Sequence, residues 1–174
     1  MTKAILFDIS GVLHTDNQPI SGAVDLIKRL RRQGIPMRFV TNTSRATCQS
    51  VLSELKQMGF EIESEEVFTA PLAIKRLCQT KGYRPFCLIH PDLTPEFSDL
   101  EQSQPNAVIV TDAAYLFSYD NLNKAFSLIM NGAPLLGIGR NRFFKSEGQL
   151  QLDAGPFIQA LEYASHVEAQ IIGK

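Results

Sequence analysis

The sequence has 174 residues, 44% of them hydrophobic and 20% charged, a composition typical of a globular protein that buries a sizeable core. Its formal net charge of −1 leaves no basic surface for nucleic acid or for an anionic membrane. No apolar run approaches the roughly 18 residues of a membrane span, and no signal peptide precedes the first strand pattern, so we expect a cytoplasmic protein.

The first 60 residues alternate between apolar runs of strand length and segments with apolar residues at helical spacing. This alternation predicts a doubly wound α/β fold. The predicted elements are a strand at 4–8, a turn at 16–19, a helix from Ser21 to Gly34, a strand at 36–41 and a helix from Ser44 to Gly59.

The rest of the chain keeps alternating, although periodicity alone does not assign these elements to the same sheet. Helices are predicted at 71–80, 119–131 and 157–163, and strands at 86–89, 107–111, 134–138 and 169–172. Three widely spaced cysteines, Cys48, Cys78 and Cys87, form no metal-binding pair and are expected to be reduced structural thiols.

Asp8 ends the first apolar run and is followed closely by Gly11. A carboxylate at the end of a parallel strand, before a glycine-bearing turn, is a position from which it can attack a ligand at the sheet edge. Taken alone, an Asp before a Gly is more often an ordinary turn residue.

Two further segments favour phosphate chemistry. Thr41, Asn42, Thr43 and Ser44 follow the second strand, where hydroxyls and helix N-terminal amides can bind phosphate, although Thr43 or Ser44 can simply cap the helix. Lys174 follows an apolar strand and a glycine, and a lysine there can supply a compact positive charge to a phosphate. As an isolated residue, Lys174 would be a solvated lysine.

Three ordered segments, Phe7–Leu13, Val40–Ser44 and Ile172–Lys174, resemble the first three motifs of the haloacid dehalogenase superfamily. Three later segments, Phe117–Tyr119, Leu152–Phe157 and Ala160–Ala164, resemble a subgroup with a large α/β cap. The resemblance implies a Rossmann-like core, Mg²⁺ as cofactor, and phosphatase activity on a small phosphorylated molecule: a phosphate ester, a phosphoramidate or pyrophosphate. It is also compatible with a homodimer.

The resemblance also implies domains and residue roles. Residues 1–69 would belong to the core, 70–155 to an inserted cap and 156–174 to the return to the core. Asp8 would be the nucleophile and a metal ligand, and the Ser10 carbonyl would be a second ligand. Lys174 would neutralise charge. The phosphate-binding residues would be Gly11, Thr41, Asn42 and Thr43.

The sequence departs from the superfamily pattern at Ser10, where most such phosphatases carry a second Asp as general acid and base. Losing such a group typically costs about 10²- to 10⁴-fold, so Ser10 favours substrates with good leaving groups. His14 is a candidate replacement, but a loop histidine is the simpler interpretation.

The family's fourth motif, an acidic pair that completes the Mg²⁺ site, has no counterpart before Lys174. If the sequence is the whole protein, the resemblance therefore implies a core that is incomplete at its C-terminus and a weak metal site. The alternative is a non-catalytic protein that binds phosphate or a partner, or dimerises. A flavodoxin-like domain is disfavoured, because no Gly-rich phosphate loop follows the first strand.

Arg140 and Arg142 lie beside aromatic residues in a polar segment of the expected cap. Two arginines near aromatic rings can bind an anionic or planar substrate. The alternative is a solvated hairpin with a Phe in the core.

Overall fold

A computed structural model of the chain describes residues 4–15, 17–146 and 148–173. These residues form two compact units. The first contains the described residues up to 41 together with 46–69, and the second contains 42–45 together with the described residues from 70 onward. Within this part of the chain, every helix is too short or too polar to span a lipid bilayer.

The first unit is built on a parallel three-stranded sheet in the order β1-β4-β5. The strands are β1 (Ile5–Asp8), β4 (Met37–Thr41) and β5 (Val67–Thr69). A small hairpin of β2 (His14–Thr15) and β3 (Gln18–Pro19) follows β1. The second half of the turn predicted at 16–19 is therefore part of a paired strand. Asp16 itself lies outside the described residues.

Two helices pack against the sheet and contribute to the core of the first unit, because their apolar residues recur on one face. Helix α1 (Ala23–Arg32) buries Ala23 and Ile27, and α2 (Cys48–Gln57) buries Val51, Leu52 and Leu55. Both helix starts differ from the prediction. Gly22, with φ of 80°, precedes α1 where Ser21 was expected, and Thr47 caps α2 where Ser44 was expected.

The second unit contains a parallel four-stranded sheet in the order β11-β8-β7-β6. Its strands are β6 (Pro85–Leu88), β7 (Ala107–Val110), β8 (Leu135–Gly137) and β11 (Gln170–Ile171). Every residue of β7 is buried, and alternate residues enter two different apolar clusters: Val108 in one and Ile109 in the other. Both faces of this sheet are therefore covered, as expected for parallel strands.

The helices of the second unit are α3 (Ala70–Lys81), α4 (Thr94–Phe97), α5 (Tyr119–Met130) and α6 (Ala154–Ser165). An antiparallel hairpin of β9 (Phe143–Ser146) and β10 (Gln149–Leu152) precedes α6. The polar segment around Arg140 and Arg142 thus leads into a hairpin. The predicted α/β fold with parallel sheets is confirmed.

Candidate active site

Asp8 is the last residue of β1 and lies at the carboxyl edge of the first sheet, opposite Val40 of β4. Its side chain is half-buried, and its Oδ1 accepts a hydrogen bond of 2.8 Å from the backbone N–H of Ile9. The same N–H contacts the Val40 carbonyl at 3.1 Å. These contacts hold the carboxylate at the end of the strand, where a ligand at the sheet edge can reach it.

The chain turns sharply after Asp8. Ile9 and Leu13 are buried, and the N–H of Leu13 donates to the Ile9 carbonyl at 2.9 Å. Gly11 has φ of 77°, a conformation that strains any residue with a Cβ, and its N–H donates to the His14 carbonyl at 2.9 Å. Ser10 is exposed, and its backbone forms an isolated β-bridge with that of His14. The turn therefore places Ser10 and Gly11 directly after the strand end that carries Asp8.

Thr41 ends β4, one residue beyond the position that faces Asp8. It is buried, and its register partner is Thr69 at the end of β5. Because neighbouring parallel strands end at the same edge of a sheet, the first unit brings the carboxylate of Asp8 and the hydroxyl of Thr41 to one edge.

Asn42 and Thr43 belong to the second unit, as does the segment that precedes Lys174. Gly173 lies so close to its neighbours that an added Cβ would overlap the Ile138 carbonyl oxygen and come within 3.0 Å of the Asn42 Oδ1. The structure therefore brings Asn42 next to Gly173. Lys174 itself lies outside the described residues.

The segment between Thr43 and α2 is not helical. Ser44 and Arg45 precede the helix, and the Thr47 hydroxyl accepts the hydrogen bond from the Ser50 N–H at 3.0 Å that defines the cap. The expectation that Thr43 or Ser44 caps α2 is therefore wrong. Three nearby hydroxyls have the chemistry of a cap, and the local sequence does not distinguish among them.

Arg140 is engaged in an ion pair. Its two terminal nitrogens each donate a 2.8 Å hydrogen bond to one carboxylate oxygen of Glu162. These hydrogen bonds hold the pKa of Glu162 below its usual value. Arg142 is exposed and lies with Arg140 and Phe143 along a surface cleft of about 320 Å³. Much of the charge that the sequence assigned to substrate binding is thus already balanced by Glu162.

Arg45 is held in place by two side-chain contacts. The Nε of Arg45 donates to Oδ2 of Asp112 at 2.5 Å, and the guanidinium lies over the ring of Phe144, 4.6 Å from its centroid. The sequence motifs assign no role to Asp112 and do not single out Arg45. No local pattern could pair them, because 67 residues separate the two partners. The only available signal was the position of Asp112 after the apolar run at 107–111.

Asp153, a further acidic residue without an assigned role, caps α6. Its Oδ1 accepts from the Ala154 N–H at 2.7 Å, and the residue is buried. Its observed role is that of an N-cap, which satisfies an N–H that the helix leaves without a partner.

The fit of Mg²⁺ depends on oxygen ligands, because Mg²⁺ prefers carboxylate, carbonyl and water oxygens. Asp8 offers a carboxylate and Ser10 a carbonyl two residues later, and both donors are of the right chemical type. Among the residues that the structure describes, no three His, Cys, Asp or Glu side chains gather closely enough to hold a metal ion. The described residues thus supply a partial ligand set.

Comparison with known proteins identifies the family. The family model described as haloacid dehalogenase-like hydrolase matches residues 5–102, which is more than half of the chain. The chain belongs to the haloacid dehalogenase-like hydrolase family. The matched residues include the Asp8 turn and the Thr41 strand end, so family membership agrees with the resemblance found in the sequence.

Curated relatives of the family align over 99% of the chain. Phospholysine phosphohistidine inorganic pyrophosphate phosphatase of Xenopus laevis is 41% identical over 179 residues. Haloacid dehalogenase-like hydrolase domain-containing protein 2 of Bos taurus is 41% identical over 172 residues. The chain spans 66% of the length of each of these relatives.

Solved structures share the fold. A hypothetical protein from Pyrococcus horikoshii OT3 superposes with a TM-score of 0.89 at 30% identity, covering 98% of this chain and 71% of that one. A glycerol phosphate phosphatase from Mycobacterium tuberculosis, in complex with magnesium, has a TM-score of 0.82 at 23% identity, covering 99% and 55%. At that identity, the second likeness concerns the fold alone.

Proposed function

We propose that the protein is a Mg²⁺-dependent phosphatase that acts on a small phosphorylated molecule through an aspartyl-phosphate. The observation that carries this proposal is the position of Asp8 and Thr41 at one edge of the first sheet. Family membership and the names of the relatives, which include a phosphatase of phospholysine, phosphohistidine and pyrophosphate, support it.

In the first step, a carboxylate oxygen of Asp8 attacks phosphorus in line, so that an O–P bond forms as the bond to the leaving group breaks. In the second step, water attacks the same phosphorus, releases inorganic phosphate and restores the carboxylate. The hydrogen bond from the Ile9 N–H fixes the orientation of the Asp8 carboxylate at the end of β1.

The remaining roles follow the family pattern. The Thr41 hydroxyl, the Asn42 backbone amide, Thr43 and the Gly11 turn hold the transferred phosphoryl group, and Lys174 offsets its negative charge. Asp8 and the Ser10 carbonyl would hold Mg²⁺, which supplies charge stabilisation for phosphoryl transfer when bound. The glycerol phosphate phosphatase from Mycobacterium tuberculosis that shares the fold is in complex with magnesium.

Ser10 shapes the choice of substrate. A serine hydroxyl does not protonate a leaving group efficiently near neutral pH, so substrates whose leaving groups need little protonation are favoured. Phosphoramidates and pyrophosphate meet that requirement better than alkyl phosphate esters. We include in the proposal the division into core (1–69), inserted cap (70–155) and return segment (156–174), a cytoplasmic location, and a homodimeric state.

The test is Mg²⁺-dependent phosphate release by the protein expressed from its native gene, with p-nitrophenyl phosphate and with pyrophosphate. We expect Asp8→Asn to lower kcat/KM by at least about 10³-fold, because the amide is a poor nucleophile. Asp25→Asn is the matched control, since Asp25 is an exposed carboxylate on α1 of the same unit. Equal activity of the Asp8 variant and the wild type would contradict the mechanism.

The second candidate is phosphate binding without turnover, and Ser10 is the observation that favours it. That function predicts saturable binding of inorganic phosphate together with no release of phosphate from either substrate. Rapid Mg²⁺-dependent release by the wild type would exclude it.

A further inference from the structure

The segment that follows the proposed phosphate-binding residues Asn42 and Thr43 carries an arginine held in a fixed orientation. Arg45 lies two residues after Thr43, so their Cα atoms are at most about 7 Å apart. Both residues belong to the second unit. Arg45 therefore belongs to the same short segment as the proposed phosphate-binding residues.

Two contacts hold the Arg45 guanidinium. Asp112, at the carboxyl end of β7 and only 3% exposed, accepts from Nε, while its other oxygen accepts from the Ala114 N–H at 3.1 Å. The ring of Phe144 supports one face of the guanidinium. Asp112 is thus held at both oxygens, and the arginine loses little further freedom when it binds a ligand.

The terminal nitrogens of Arg45 are not used by these contacts. Within the described part of the chain, the Arg45 side chain donates a single hydrogen bond, which is the one from Nε. The side chain is 38% exposed. Arg140 differs, since both of its terminal nitrogens bind Glu162. A guanidinium anchored through Nε still presents a fork of N–H donors that matches the oxygens of a phosphoryl group.

We propose that Arg45, oriented by Asp112 and Phe144, is a specificity-determining residue that binds a second phosphoryl oxyanion on the leaving group. This inference rests on the proposed function, and it names the preferred substrate class as compounds of the pyrophosphate type. Because Asp112 is buried and faces Nε, its negative charge is separated from the edge of the guanidinium that receives the oxyanion. Ser10 supplies no acid catalysis, so turnover depends more strongly on binding of the leaving group. Arg45 supplies that binding.

The test compares two substrates. Pyrophosphate has a leaving group with phosphoryl oxygens, and p-nitrophenyl phosphate has one without them. We expect Arg45→Lys to lower kcat/KM for pyrophosphate by about 10- to 100-fold, because lysine cannot bind Asp112 through Nε and a second anion through a planar fork. The value for p-nitrophenyl phosphate should change less than about 3-fold, since its leaving group makes no hydrogen bond of this kind to Arg45.

Arg45→Lys keeps a cation beside the buried Asp112, so the fold is retained more safely than with a neutral residue. Arg84→Gln is the matched control, because Arg84 is a guanidinium of the same unit that binds the Ser103 and Gln104 carbonyls. An equal loss with both substrates would show that Arg45 only maintains the structure. Unchanged kinetics with both substrates would overturn the proposal as well.

A binding measurement separates this inference from the proposed function. If the wild type hydrolyses neither substrate, the proposed function fails. Calorimetry with methylenediphosphonate and methylphosphonate then tests Arg45 alone. The proposal requires that the wild type bind the diphosphonate at least about 10-fold more tightly and that Arg45→Lys remove that difference. No preference for the diphosphonate would overturn it.

Discussion

Replacement of Gly155 by alanine is expected to have two opposite effects on stability, one through packing and one through helix propensity. It lies in the first turn of α6, and its N–H donates to the Asn141 carbonyl at 3.0 Å. By propensity alone, replacing a helical glycine by alanine stabilises a helix by about 1 kcal/mol. An added Cβ would, however, overlap the Asn141 carbonyl oxygen and lie 2.8 Å from the backbone of Arg140.

These neighbours are backbone atoms, so they cannot rotate away, and the helix or the preceding segment must shift. Overpacking of this kind costs about 1 to 3 kcal/mol. After the gain in helix propensity is subtracted from this cost, we expect Gly155→Ala to destabilise the protein by up to about 2 kcal/mol. For a chain of this size, that lowers Tm by up to about 8 °C.

Thermal unfolding followed by circular dichroism measures the difference. Gly139→Ala is the matched control, because an added Cβ at Gly139 meets nothing within 4 Å. Its Tm should stay within about 2 °C of the wild type, as for a surface substitution. A higher Tm for Gly155→Ala than for the wild type would refute the close approach between α6 and the segment before it.

Two further predictions concern titration. Hydrogen bonds from Arg140 lower the pKa of Glu162, so its contribution to stability is present above the ordinary value of 4.5 and is lost as pH falls through the folded value. Glu162→Gln should therefore flatten the fall of Tm between about pH 5 and pH 3, and an unchanged profile would contradict the ion pair. Burial raises the pKa of Cys78 to about 11 and that of Cys87 to about 12. Because the thiolate is the reactive form, both thiols should react with DTNB at pH 8 about 100-fold or more slowly than in the urea-unfolded chain, and fast labelling of the folded protein would contradict the raised pKa values.

Elements with strong apolar patterns were predictable from the sequence. The strand ending at Asp8 and the helix that buries Val51, Leu52 and Leu55 are fixed by local hydrophobic spacing. The start of α2 was not predictable, because several hydroxyl residues compete for one cap. Strand β5 was missed because three residues are too few for an alternating pattern to register.

The residues named for the site came mostly from motif resemblance, and the structure adds the contacts around them. Two of these contacts join segments that are far apart in sequence: Asn42 lies beside Gly173, and Arg45 lies beside Asp112. No local pattern encodes such pairs. The role assigned to Arg140 shows the converse: a charge cluster that looks available in the sequence is paired with Glu162 once α6 is in place.

The most direct test of the central claim is to trap the reaction covalently. The protein expressed from its native gene is mixed with Mg²⁺ and ³²P-labelled pyrophosphate, quenched in acid and digested, and the labelled peptide is sequenced. We expect an acid-stable, hydroxylamine-sensitive phosphoryl group on Asp8 that is absent from the Asp8→Asn variant. Phosphate release without a label on Asp8, at a rate that the Asp8→Asn variant retains, would contradict it.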